Sequence, residues 1–146
     1  MPVKEINLIL KNEPGQLSLV SDILGSSGVN IIAFYVSAEG DKGSLRFVAN
    51  DPERATTVLK ARGYGVRVEE VIACETPNHP GGLNSILKPL KKEEINVDYV
   101  YPCLSRLGTE ATAILILGVA PRDRDRTITA LRDNWIRLLD EELYRL

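Results

Sequence analysis

The chain is poor in the residues from which most metal and disulfide sites are built. His79 is its one histidine, and Cys74 and Cys103 are its two cysteines. So thin a supply excludes a disulfide-stapled scaffold and a His/Cys metal cluster. The cysteines lie in apolar, strand-like segments with no second Cys nearby and are expected as buried free thiols. No metal and no other cofactor is expected. No nucleophile–base pair and no carboxylate dyad stands out, so no catalytic residue is assigned. A dominant charge sign is missing as well. With 18 Lys and Arg against 20 Asp and Glu, the totals favour neither nucleic acid nor an anionic membrane. Aromatics reach only 5%, and the third strands expected below offer Phe47 alone and none in Ala111–Gly118, against the stacking aromatics that an RNA-binding sheet face needs. No apolar run is long enough to span a membrane, and Met1-Pro2-Val3-Lys4-Glu5 opens no signal peptide, so a soluble cytoplasmic protein is expected.

What is present is a repeat. Asn12-Glu13-Pro14-Gly15-Gln16-Leu17 returns as Asn78-His79-Pro80-Gly81-Gly82-Leu83, an offset of 66 (12 to 78). At the same offset Val29-Asn30-Ile31 meets Ile95-Asn96-Val97, and Tyr35 meets Tyr101. A repeat this long points to duplication of a whole small domain. The expected division is 1–69 and 70–146. Each half has roughly 70 residues, a size at which a lone core is marginal, so the halves are expected to bury surface against each other or in a dimer.

Both halves read as β-α-β-β-α-β. In the first, Ile6, Leu8 and Leu10 alternate with Glu5, Asn7 and Lys11, the pattern of a half-buried strand. Pro14-Gly15 opens a helix in which Leu17, Val20 and Leu24 fall at helical spacing, ended by Gly28. Strands follow at Asn30–Ser37 and around Leu45, Phe47 and Ala49. Asp51-Pro52 starts a second helix that ends at Gly63, and Val66–Glu69 is a fourth strand. The second half predicts strands at Val71–Thr76, Val97–Leu104, Ala111–Gly118 and Trp135–Leu139. Its helices are Gly82–Lys92 and Arg122–Asp133, with a helical cap at Asp140–Leu146. Ala113-Ile114-Leu115-Ile116-Leu117 is apolar at successive positions, so both faces of that strand must be covered. Arg122-Asp123-Arg124-Asp125-Arg126 and Lys91-Lys92-Glu93-Glu94 read as solvated helix faces.

The repeated motif carries the chemistry. A helix start exposes unpaired N–H groups and the positive end of its dipole, which together favour a carboxylate. Gly15 and Gly81 add no side chain to hold a ligand away. Asn12, Asn30, Asn78 and Asn96 each offer a donor and an acceptor, suited to a small zwitterion with no net charge. The competing reading is that Asn12 and Asn78 only cap turns. His79 stands where the first motif has Glu13 and is as readily a solvated loop residue as a ligand contact. An acyl-phosphate hydrolase on this scaffold would want an arginine in the loop, where Glu13 and Gln16, or His79 and Gly82, stand instead.

These motifs resemble the ACT domain, an amino-acid-sensing module, in two tandem copies covering nearly the whole chain. The resemblance implies two ferredoxin-like βαββαβ units, each an antiparallel sheet with helices on one face. It implies a stand-alone regulatory protein, not an enzyme, probed by a free amino acid and read by an enzyme or regulator partner. The effector would sit between ACT units, held by Asn12, Glu13, Pro14, Gly15, Gln16 and Leu17 with Asn96 and Val97, and by Asn78, His79, Pro80, Gly81, Gly82 and Leu83 with Asn30 and Ile31. The alternative is a degenerate ACT pair that only dimerises or docks onto a metabolic enzyme.

Overall fold

The computed structural model describes residues 3–104 and 112–146. Ala111, at the start of one predicted strand, lies outside them. Two compact units are present, Lys4–Glu69 and Glu70–Leu146, the latter including Val3. The first contains β1 (Val3–Lys11), α1 (Gln16–Ser26), β2 (Ile31–Glu39), β3 (Lys42–Ala49) and α2 (Pro52–Ala61), and it is completed by the start of β4 (Val66–Pro77). Its strands lie in the order β2-β3-β1-β4, with β3 antiparallel to both β1 and β2. The second uses the rest of β4, then α3 (Asn84–Lys92), β5 (Val97–Pro102), β6 (Thr112–Val119), α4 (Arg124–Asp133) and the two-residue β7 (Leu138–Leu139). Here β6 pairs with β4 and β5, and β7 pairs with β4, all antiparallel. Each unit is therefore the α+β, ferredoxin-like arrangement that the sequence predicts.

One core fills each unit on the helix side of its sheet. In the first, Ile6, Leu8 and Leu10 from β1 meet Val20, Ile23 and Leu24 from α1, Phe47 from β3, and Ala55 and Leu59 from α2. In the second, Ile72 and Cys74 meet Ile86, Leu90, Leu117, Ala130 and Leu131. The side chain of β6 that follows Ala113, Ile114, is buried, as is Ile116, although neither belongs to that helix-side core. Burial on both faces is what the unbroken apolar run of β6 demands. Asp51 caps α2 as expected, its Oδ1 accepting from the Arg54 amide at 3.1 Å, with Pro52 at the first helical position. Among the described residues, no helix is long and apolar enough to cross a membrane.

Several expectations need correction. β1 is not half-buried: Glu5 is fully buried and Asn7 nearly so. Arg46 on β3 reaches Glu5 at 3.0 Å, and Ser44 bonds Asn7 at 3.2 Å, so the polar face is satisfied across strands rather than by water. Leu17 stays 44% exposed, and Ile23 joins Val20 and Leu24 in the core in its place. The predicted strands Val66–Glu69 and Val71–Thr76 form one element, β4; no glycine or proline interrupts them and Val66, Val68, Val71 and Ile72 all favour extended backbone. The predicted strand from Trp135 shrinks to Leu138–Leu139 because Trp135 ends α4 instead. The final helical cap is a 3-10 turn, Glu141–Arg145, and another, Pro121–Asp123, leads into α4.

The four main helices end alike. In the first unit the residues after the C-caps of α1 and α2 are Gly28 and Gly63, with φ of 73° and 87°. The next amides, Val29 and Tyr64, reach back to the carbonyls of Leu24 and Leu59, the bonding of a Schellman close. In the second unit Ile95 bonds Leu90 and Ile136 bonds Leu131 in the same way, but the left-handed residues are Glu94 at 57° and Trp135 at 62°. A side chain in that conformation costs about 1 kcal/mol or more relative to glycine. Glu94→Gly and Trp135→Gly should each raise unfolding free energy by about 1 kcal/mol in urea titrations. A loss of stability in either variant would show that the side chain makes a compensating contact.

Candidate functional site

The two copies of the motif share a backbone signature. Gly15 and Gly81 both take left-handed φ, 88° and 82°, and the leucines two residues later, Leu17 and Leu83, are 44% and 47% exposed. In both loops the residue after the glycine donates its amide to the residue three before it, Gln16 to Glu13 at 3.3 Å and Gly82 to His79 at 2.8 Å. Beyond that point the copies diverge.

In the first copy α1 begins at once. The Leu19 amide donates to the Gly15 carbonyl at 3.0 Å, and α1 has no side-chain cap. The amides of Leu17 and Ser18 precede the first intrahelical bonds and point out of the helix start. Pro14 and Glu13 are exposed beside them. In the second copy a 3-10 turn intervenes. Asn84, Ser85 and Ile86 donate to Gly81, Gly82 and Leu83 at 3.2, 3.0 and 3.1 Å, so the donors of this helix start are spent internally and α3 starts at Asn84 rather than at the predicted Gly82. The buried Thr76 hydroxyl donates to the Gly82 carbonyl at 3.0 Å. His79 is tied to its own loop: its Nδ1 lies 2.9 Å from the Pro80 carbonyl, which can only accept, so Nδ1 carries the proton.

The asparagines are held in different ways. Asn12 clamps its loop to the hairpin between β2 and β3, its Nδ2 donating to the Gly40 carbonyl at 2.9 Å and its backbone amide to Asp41 at 2.9 Å. Among the described residues its Oδ1 accepts no hydrogen bond. Asn30 is exposed and positioned through its backbone alone: its amide donates to Asn50 Oδ1 at 2.8 Å, and its carbonyl accepts from the Asn50 amide at 3.0 Å. Asn50 was not assigned from the sequence, where it reads only as the end of a strand. Asn96 donates from Nδ2 to Asp98 Oδ1 at 3.1 Å. Asn78 is exposed. Ile31, in part buried, opens β2, and Val97 opens β5 in the same state.

Strand register separates the two asparagines of each unit. Asn12 lies beside Gly40 and Asp41, before β3, and Asn30 beside Asn50, after it. The eight residues of β3 intervene, roughly 26 Å at the rise of an extended strand. Likewise Asn78 follows Pro77, which pairs with Thr112, and Asn96 precedes Val97, which pairs with Val119. All eight residues of β6 lie between. No unit brings its own pair of asparagines together.

Both thiols are free, but of the two expected to be buried only Cys74 is; Cys103 is half-buried. Burial pushes the Cys74 thiol up to about 12, with Cys103 adding to the effect, and burial also pushes Cys103 up to about 12. Cys74 sits in the core beside Ile86 and Leu117. An unfolded thiol loses its proton near its ordinary value of 9.0. The folded form thus holds the proton where the unfolded form has lost it, so the contribution is intact below pH 9 and is lost from pH 9 to 12. Cys74 should contribute a fall of about 1.4 kcal/mol per pH unit in that range. The slope of stability against pH between 9 and 11 should flatten in Cys74→Ala; equal slopes would reject the assignment. Among the described residues no group of three or more His, Cys, Asp or Glu side chains could hold a metal ion.

The sequence profile described as an ACT domain pair matches residues 1–145. The chain belongs to the ACT-domain family. Protein BT0572 from Bacteroides thetaiotaomicron is similar to this ACT pair at 27% identity, covering 100% of this chain and 98% of that one with a TM-score of 0.89. The ligand-free regulatory subunit of aspartate kinase from Thermus thermophilus shares the fold at 13% identity and a TM-score of 0.66, covering 92% and 94%. Aspartate kinase from Clostridium acetobutylicum shares it at 16% identity and a TM-score of 0.51, over 92% of this chain and 33% of that one. No curated protein matches the ACT pair in sequence. ACT domains are regulatory rather than catalytic, and this pair has that architecture.

Proposed function

We propose that this ACT pair, with units dividing near Glu69, is a stand-alone sensor of a free amino acid, read by an enzyme or regulator, and that it works in the cytoplasm as a homodimer without catalysis of its own. The supporting observation is the open start of α1. Its uncapped amides suit the ligand carboxylate, and the clamped Asn12 presents Oδ1 as an acceptor for the ammonium group. A strand-start asparagine, Asn30 or Asn96, supplies the next contact. Since neither unit gathers both of its asparagines, each ligand takes its two amides from two different units. Effector binding then favours one packing of ACT units, by no more than its difference in affinity between them.

The second motif favours another reading for its half. Asn78, His79, Pro80, Gly81, Gly82 and Leu83 form a loop whose helix-start donors are already used, so the first motif is the primary site and the second copy serves dimerisation or docking. A thermal-shift screen against the common amino acids separates these readings. Ligand at a hundredfold excess over its dissociation constant adds about 2.7 kcal/mol, on the order of 5–10 °C for a chain of this length. Where Asn30 supplies the second amide, Asn30→Ala should erase most of that shift yet leave unliganded stability within about 0.5 kcal/mol, because among the described residues its carboxamide makes no hydrogen bond. Where Asn96 supplies it, Asn96→Ala should erase the shift instead. Asn12→Ala should erase the shift as well and also loosen the hairpin. A flat screen would leave only the docking role; full ligand response in Asn12→Ala, or in both Asn30→Ala and Asn96→Ala, would sink the assigned site.

A further inference from the structure

On the second unit a cleft of about 630 Å³ is lined by Ser85, Lys88, Pro89, Lys91 and Lys92 of α3 and by Asn134 at the end of α4. Among the described residues its lining is basic with no acidic side chain. None of the three lysines has an ion-pair partner among those residues, although the whole chain carries a net charge of −2. They stand at i, i+3 and i+4, spacings at which like charges repel and weaken a helix. Lys91 and Lys92 also complement the carboxyl end of the helix dipole, but Lys88 lies too far back for that. Directly after Asn134 comes Trp135, 95% exposed and held at a left-handed φ of 62°. At the matching helix end of the first unit the chain has Gly63. The largest apolar side chain is therefore kept in water, at a backbone position where glycine would be easier. An exposed tryptophan is the side chain most often found as an interface anchor, and this one follows Asn134 of the lysine-lined cleft directly in the chain.

We infer that this face is a docking surface for an acidic protein segment, whose carboxylates enter the lysine cleft while an apolar side chain covers Trp135. The inference is independent of the effector site. Charge sets the choice of occupant: three ammonium groups line the cleft and no acid does, Glu93, Glu94 and Asp133 lying outside the lining, so the cleft selects carboxylates, and an exposed indole needs an apolar neighbour that a small inorganic anion lacks.

Trp135 is the chain's one tryptophan, so its emission reports the event directly. The full chain is titrated with a synthetic peptide of Glu, Asp and Leu. We expect a saturable blue shift that weakens as salt rises to about 0.5 M. By anisotropy of the labelled peptide, affinity should fall at least about tenfold in Lys88→Glu/Lys91→Glu/Lys92→Glu and again in Trp135→Ala, with unchanged circular dichroism. Should the triple variant fail to fold, the salt dependence of the unaltered protein carries the same test. Each of four results would overturn the inference: no shift with the acidic peptide; an equal shift with the peptide bearing Lys for each acid; an equal shift with free citrate or a single-stranded oligonucleotide; or a shift produced by raising protein concentration alone, which would make a second copy the occupant.

Discussion

Arg46→Ala should lower the unfolding free energy by about 3–5 kcal/mol, read as a drop in the urea midpoint with little change in slope. Arg46 extends from β3 to Glu5 at 3.0 Å and to Glu69 at 3.2 Å. Glu5 has 0% of its side chain exposed, and Glu69 is about one-third exposed. Removing the guanidinium takes the facing positive charge from a carboxylate that water cannot reach, and that loss dominates the cost. The two partners are not equivalent. Losing Glu69 should cost no more than about 1 kcal/mol, since water can solvate what remains. Replacing the inner pair with apolar residues, Glu5→Leu with Arg46→Met, should recover most of the loss, because the pair's Coulomb energy chiefly offsets its own desolvation. Arg46→Ala costing less than about 1 kcal/mol would mean that the cluster behaves as a surface pair.

That cluster also marks where sequence reading stops. Alternation of Ile6, Leu8 and Leu10 with Glu5, Asn7 and Lys11 correctly sorted the helix-facing side of β1. It assigned the other side to solvent because the partner of Glu5 lies 41 residues away on another strand. Local pattern carries no information about such a cross-strand neighbour. By contrast, element order, the cap at Asp51 and the left-handed glycine that closes α1, Gly28, are local matters of backbone propensity, and all were legible. The duplication was legible too, but it implied more equality than exists. Its own offset held a warning, since Gly28 maps onto Glu94 and Gln16 onto Gly82. The first exchange puts a side chain into a left-handed helix close. The second allows a tighter loop. Neither consequence follows without coordinates, because both depend on atoms brought near by the turn itself. The separation of Asn12 from Asn30 was hidden for a related reason: motif spacing tells nothing of register, and register puts them at opposite ends of β3.

Gly82→Ala tests how far the two motifs have diverged. A methyl group at Gly82 would be driven into the Pro77 carbonyl oxygen and carbon, with the His79 carbonyl also close. All of these are backbone atoms, so no side chain can swing aside. The Pro77 end is fixed by pairing with Thr112, and the Gly82 carbonyl accepts from the buried Thr76 hydroxyl. Relief requires opening the 3-10 turn and giving up the amide bond to His79 as well. We expect a loss of about 3 kcal/mol, at the upper end for overpacking because backbone must yield. Gly81→Ala, strained by its φ of 82° but with open space around it, should cost less, about 1–2 kcal/mol. In the first motif Gln16→Ala should be within about 0.5 kcal/mol of the parent, since that position already carries a side chain in the first turn of a helix. Equal stability of Gly82→Ala and the parent would show that the second loop opens freely. Its helix-start amides would then be as available as those of α1, and the case for a single primary motif would fail with it.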